Sequence, residues 1–205
     1  MIETILRPLH GLYWSTRLAE RNKTGESYLG NLYIKLHRWK EPIILKDGRF
    51  SLNLDKKHAG LMLIERMHWP KWYGSDFKDK IVLDVGAGNG ETASFFFNRG
   101  AKMVIAVECD EKALSYLRHN RHLNNWNMAI IPAKFRNDHL LLPHDVLKMD
   151  IEGGESVLMD WNRPLGDARI ELHPQFIGEQ MAHDLVQKFH LKQVQAPYVW
   201  RSDKC

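Results

Sequence analysis

Residues 81–92 read IVLDVGAGNGET: a short apolar run ends in a carboxylate, three glycines follow at alternate positions, and a helical stretch begins. A strand that passes through a glycine-rich turn into a helix is the opening unit of an α/β fold. Gly86, Gly88 and Gly90 permit positive φ and let a ligand approach the backbone where side chains would block it. The turn is therefore expected to seat a ligand.

The neighbouring residues narrow its chemistry. A dinucleotide fingerprint requires G-x-G-x-x-G, and the last glycine position is here Glu91, an acid at a helix start where a pyrophosphate needs positive potential. A nucleoside-triphosphate loop ends Gly-Lys-Ser/Thr, whereas Gly90 is followed by Glu91 and Thr92. What remains is an adenosyl ligand without a phosphate chain. The next apolar run, MVIAV, ends in Glu108, 22 positions beyond Gly86. A carboxylate there can accept hydrogen bonds from both hydroxyls of a ribose.

Working outward, MAII, DVLKM and ARIEL continue the alternation of short apolar runs with helical stretches or loops, as in a parallel sheet with crossover helices. Helices are expected over residues 91–99, after an Asp110 N-cap, and from Pro174 through Phe189. LKQVQ and YVWRS should close the sheet as an antiparallel pair around Ala196 and Pro197. Before the glycine loop, the spacing of Leu9, Leu12, Tyr13, Thr16 and Leu18 predicts a helix near Pro8. IILKDGRFSLNL reads as a hairpin with Asp47-Gly48 in the turn, and residues 59–67 as a helix. We expect residues 1–78 to form an extension packed on a core domain of residues 79–205.

The 205 residues, 44% of them hydrophobic, suffice for a real core. No apolar run approaches the roughly 18 residues of a membrane span, and the start MIETILRPLH lacks the apolar stretch of a secretion signal, so a cytoplasmic location and no membrane span are expected. Two cysteines, Cys109 and Cys205, exclude a disulfide framework and a cysteine zinc site. Residues 1–80 hold 15 Lys/Arg against 9 Asp/Glu, and residues 81–205 hold 14 against 16. The basic leading part motivates an RNA partner, although a solvated basic face also produces such a balance.

VLDVGAGNGET followed by VIAVECD resembles the first two motifs of class I S-adenosylmethionine-dependent methyltransferases. DVLKMDIEGGE with IELHPQ resembles the FkbM family within them, through Lys148, Asp150, Glu152, Gly153 and Glu155, and then Glu171 and His173. The resemblance covers about residues 76–175. It implies a Rossmann-like doubly wound, mostly parallel seven-stranded sheet with a terminal antiparallel strand. It also implies S-adenosylmethionine as cofactor, and methyl transfer to an oxygen of a small molecule or glycan. In its terms Asp84 braces the glycine loop, Gly86, Ala87 and Gly88 contact the methionine part, and Glu108 holds the ribose. Cys109 and Asp110 border the adenine, with Ala133 or Lys134 as further adenine partners, and Asp150 lies beside the methyl-transfer position. Two departures stand out: Gly-Ala-Gly-Asn-Gly replaces the family's usual Gly-Ala-Asn-x-Gly, and the connection over residues 132–144 is short.

Asp150 and His173 fall at the expected C-terminal ends of neighbouring strands, where a carboxylate or imidazole can take the proton of a hydroxyl acceptor. Asp150, Glu171 and His173 form an oxygen-rich set whose spacing is not diagnostic, and no metal is assigned. His119 and His122 read as exposed helical surface. The segment His68-Trp69-Pro70-Lys71-Trp72-Tyr73 reads as a rim over the cofactor pocket, or as a stacking surface for nucleobases. Two other functions stay open: an RNA methyltransferase using the basic leading region, and a non-catalytic adenosyl-binding module.

Overall fold

A computed structural model describes residues 35, 37–195 and 199–202. The helix expected near Pro8 and the turn around Ala196 and Pro197 lie outside these residues. The chain runs β1 (Ile43–Asp47), β2 (Phe50–Leu54), α1 (Lys56–Glu65), α2 (Trp69–Tyr73), β3 (Ile81–Val85), α3 (Glu91–Asn98), β4 (Met103–Glu108), α4 (Glu111–Leu123) and β5 (Met128–Pro132). It continues through β6 (Val146–Met149), β7 (Ala168–Glu171), α5 (Pro174–Ile177), α6 (Glu179–Lys188), β8 (Lys192–Gln195) and β9 (Val199–Arg201). Single 3-10 helices, Asn137–Leu141 and Gly154–Asp160, precede and follow β6.

Seven strands form one sheet in the order β5-β4-β3-β6-β7-β9-β8. The first five are mutually parallel, with Ile81 opposite Met103 and Val82 opposite Val146, and β9 runs antiparallel between β7 and β8. This is a Rossmann-like, mostly parallel arrangement, and its order reverses at β3, so the crevice opens at the C-terminal ends of β3, β4 and β6. Along β3 and β4, Val82, Val104 and Ala106 feed one core, while Leu83, Val85, Ile105 and Val107 feed the other. The alternation follows from the two-residue period of a strand and buries both faces of the sheet. No described helix is long and apolar enough to cross a membrane.

α3 carries Phe95, Phe96 and Phe97, all buried, because it is enclosed between the sheet and the β1–β2 hairpin. The hairpin is docked by asparagines. Asn120 accepts from the Asn53 backbone N–H (2.8 Å) and donates to its carbonyl (2.8 Å), and Asn124 does the same for Ser51 (3.0 and 2.9 Å). Four residues apart, on the last turn of α4 and at its C-cap, these amides pair with β2 as a neighbouring strand would, satisfying an otherwise open edge.

Three local expectations need correction. The hairpin turn is Gly48-Arg49, since Asp47 pairs with Phe50 as the last residue of β1. Asp47 is drawn into the strand because its carboxylate accepts from Ser94 Oγ (2.7 Å) and pairs with Arg66. α1 begins earlier than the expected residue 59, at Lys56, because Asp55 caps it by accepting from the His58 N–H (2.9 Å). The helix expected from Pro174 is broken at Gly178, whose φ of +87° leaves the helical region and divides it into α5 and α6.

Candidate functional site

A cavity of about 580 Å³ opens over the turn between β3 and α3, with the glycine loop as floor and α1 and α2 as roof. The floor requires glycine: an ideal Cβ on Gly86 (φ +75°) would lie 1.8 Å from the Asp150 carbonyl oxygen, so the two loops pass without room for a side chain. Gly88 (φ +55°) is covered by His58, 2.8 Å from where its Cβ would be. Asn89, the next residue of the loop, accepts from the Asp55 N–H (2.9 Å) and ties the roof to the floor.

The loop is held from below by a buried charge pair. Lys148 on β6 and Asp84 on β3 occupy adjacent parallel strands in register. The Lys148 ammonium lies 3.1 Å from Asp84 Oδ1 and donates to the Gly86 carbonyl at 2.7 Å, while Thr92 Oγ1 donates to Asp84 Oδ2 at 2.7 Å. Burial raises the Asp84 pKa against the opposing pull of Lys148 and Thr92. Burial alone would lower that of Lys148, but Asp84, with Asp150 and Glu171 beyond it, holds it above its ordinary value.

Glu108 closes one side. One carboxylate oxygen accepts from Gly88 N–H (2.9 Å), the other from the N–H groups of Cys109 (2.7 Å) and Asp110 (2.8 Å), so Glu108 is fixed against the glycine loop. Asp110 caps α4 by accepting from Ala113 N–H (2.7 Å). On the opposite side Asp150 shows its carboxylate, 28% exposed, to the cavity, and His173 Nε2 lies 3.5 Å behind it. His173 Nδ1–H donates to the fully buried Glu155 at 2.6 Å. Burial disfavours the imidazolium, yet the Glu155 hydrogen bond and the surrounding carboxylates raise its pKa to about 9. Glu171 accepts from the Tyr73 hydroxyl at 2.7 Å. Burial, then Glu171 and Asp150, push the tyrosine pKa well up.

Of the residues singled out from sequence, Gly86, Gly88, Glu108, Cys109, Asp110 and Asp150 line this one cavity. Asp84, Ala87 and His173 are buried behind its walls, and Ala133 follows β5 without lining it. The aromatic segment offers no stacking surface: Trp69, Trp72 and Tyr73 are buried, Trp69 edge-on to Phe95, with Trp69 and Tyr73 forming the roof. His119 bonds Asn53 on an exposed face (2.8 Å).

Sequence reasoning missed the Asp55–His58–Glu91 cluster in the roof. His58 Nδ1 lies 3.0 Å from both Asp55 oxygens, and its Nε2 is 4.0 Å from Glu91. Burial opposes the imidazolium, and Glu91 and Asp55 outweigh it, raising the His58 pKa. Burial likewise acts against ionised Asp55, but the bonds and charge of His58 hold that carboxyl at about 2. Burial raises Glu91. The one signal available was Asp55 three residues before His58, a cap position.

No protein-family model matches the chain. It is 36% identical over 85 residues to protein arginine N-methyltransferase 1 of Oryza sativa subsp. indica, covering 42% of this chain and 20% of that protein. It is 30% identical over 129 residues to the ribosomal protein L11 methyltransferase of Aquifex aeolicus, covering 62% and 50%. The chain thus spans between a fifth and a half of these two relatives. In structure it is similar to the T. thermophilus 16S rRNA N2 G1207 methyltransferase solved with AdoMet and guanosine, with a TM-score of 0.52 at 18% identity, covering 79% of this chain and 45% of that one. That likeness is one of fold.

Proposed function

We propose that the chain binds S-adenosylmethionine over the glycine loop and transfers its methyl group to an oxygen of a small molecule or glycan. The carrying observation is the cavity: a floor without room for a Cβ at Gly86, a fixed carboxylate at Glu108, and walls in which carboxylates outnumber lysines eight to four. Such walls suit a ligand with a sulfonium, an ammonium and a ribose, and disfavour a phosphate chain.

Glu108 would hold the ribose hydroxyls, and Gly86, Ala87 and Gly88 the methionine portion. Cys109 and Asp110 border the adenine, with Ala133 at the end of the neighbouring strand, and Asp84 braces the loop through Lys148 and Thr92. When bound, S-adenosylmethionine supplies a methyl carbon made electrophilic by its positive sulfur. The protein's task is then alignment, since most of the barrier to an in-line displacement is removed by holding the reactants in place. As an acceptor oxygen bonds to that carbon its proton must leave, and Asp150, on the cavity wall, is the carboxylate placed to take it. His173, anchored by Glu155, backs and orients Asp150.

The Lys148-to-Glu155 motif supports an FkbM-like assignment, and that resemblance supports oxygen as the acceptor atom. Residues 1–78 are proposed as an extension completing the site of a domain at 79–205, because Asp55, His58 and Trp69 all line the cavity. A second reading, methylation of RNA, is favoured by the excess of 15 Lys/Arg over 9 Asp/Glu in residues 1–80.

The test incubates the full chain with methyl-labelled cofactor and, separately, a metabolite and glycan extract and total RNA. Label in the first supports the proposal. Label in RNA alone selects the second reading. Cofactor binding with no transfer to any acceptor identifies a binding module, and absence of cofactor binding overturns all of these.

A further inference from the structure

We propose that Asp150, Glu171 and His173 form a site for one divalent first-row transition cation, with Mn²⁺ and Zn²⁺ as the fitting ions. β6 and β7 are adjacent and parallel, with Met149 opposite Ile170, so their C-terminal ends deliver Asp150, Glu171 and His173 side by side. One ligand atom from each lies within 4.8 Å of the other two. Neighbouring ligands of a six-coordinate ion with bonds of about 2.1 Å stand roughly 3 Å apart, so closure onto an ion needs only side-chain adjustment.

Charge and surroundings agree with the geometry. Glu171 is 2% exposed and His173 1%. Two carboxylates this close and largely removed from water repel each other, and a cation between them relieves that repulsion. Lys148, bonded to Asp84 at 3.1 Å and to the Gly86 carbonyl at 2.7 Å, also exerts its charge on Asp150 and Glu171 from beneath. Outer partners are already in place: Glu155 accepts from His173 Nδ1–H at 2.6 Å, which fixes the ring with Nε2 toward Asp150, and Tyr73 donates to one oxygen of Glu171 at 2.7 Å. A ligating histidine commonly has such a carboxylate on its other nitrogen. One imidazole with two carboxylates favours Mn²⁺ or Zn²⁺ over the all-oxygen preference of Ca²⁺ and Mg²⁺. The ion replaces the proton on Nε2, which passes to solvent.

Asp150 is the exposed member and stands on the cavity wall, so the remaining coordination positions face the space assigned above to the methyl acceptor. On that reading of the site, one Asp150 oxygen holds the ion and the other stays available for the acceptor proton, and the ion selects an acceptor that offers an oxygen ligand. The metal site itself rests only on the three side chains and their partners.

The experiment uses the full chain stripped with EDTA and desalted. Mn²⁺ is titrated by electron paramagnetic resonance and Zn²⁺ by calorimetry, with S-adenosylmethionine titrated separately into the metal-free protein. We expect one equivalent of Mn²⁺ bound. Affinity should fall at least tenfold in Glu171→Gln, which keeps an acceptor for Tyr73, and in the partly exposed Asp150→Asn, while Asp138→Asn, a surface carboxylate, matches the parent. Failure of the folded parent to take up either ion, or equal uptake by parent and both site variants, overturns the metal site. The separate cofactor titration tests the adenosyl-binding reading independently, because it is run without metal.

Discussion

Lys148 Nζ and Asp84 Oδ1 face each other at 3.1 Å across two adjacent strands, both side chains almost wholly removed from solvent. The pair ties the sheet to the glycine loop, because the same ammonium holds the Gly86 carbonyl. Removing one partner strands a buried charge. Lys148→Met is expected to lower unfolding free energy by about 3–5 kcal/mol, measured by urea denaturation. Asp84→Leu combined with Lys148→Met should lose much less than the sum of the two single changes.

Gly86 and Gly166 both have positive φ, +75° and +70°, but a Cβ meets the Asp150 carbonyl at 1.8 Å in the first and nothing within 4 Å in the second. Gly166→Ala is expected to cost about 1–2 kcal/mol from backbone conformation alone. Gly86→Ala adds the steric conflict, for a total of about 2–5 kcal/mol. Equal effects in thermal denaturation would contradict the close passage of the two loops.

How legible this was varied by element. The glycine loop, Glu108 and the parallel strands were readable because strand periodicity and φ requirements are local in sequence. Glu155 was not: its position after Gly153 and Gly154 fits an exposed acid at a helix start, whereas it is fully buried because His173, 18 residues later, lies against it. The asparagines that dock the hairpin are equally silent, since Asn120 and Asn124 read as polar positions of a surface helix until β2 is laid beside them. The roof was hidden for the same reason. His58 acquires its role only when α1 folds over a loop about thirty residues away.

The Asp55–His58 pair sets a pH dependence of stability. The raised His58 pKa contributes stability that is complete below the ordinary 6.5 and is lost as pH rises through the folded value. Asp55, lowered from 3.8 to about 2, contributes stability that is complete above 3.8 and is lost as pH falls toward 2. Asp55→Asn preserves the helix cap. Its deficit in melting temperature should therefore be largest between about pH 4 and 6.5 and shrink in alkali. A deficit independent of pH would remove the ion pair from the account.

Asp150→Asn separates chemistry from binding. If the carboxylate takes the acceptor proton, turnover should fall about 10²–10⁴-fold, while cofactor affinity changes by less than about threefold, as expected for a group acting in the transition state. Single-turnover rates and equilibrium titration on the same preparation give both numbers.

The central claim is that the glycine loop and Glu108 together seat an adenosyl sulfonium compound. Isothermal titration of S-adenosylmethionine into the parent and Glu108→Ala, each shown to be folded by circular dichroism, tests it most directly. Charge-assisted hydrogen bonds are worth about 1.5–3 kcal/mol each, so binding by the parent should weaken about 10- to 100-fold or more in the variant. A folded parent that gives no heat of binding at any temperature, or a variant that binds as tightly as the parent, contradicts the claim.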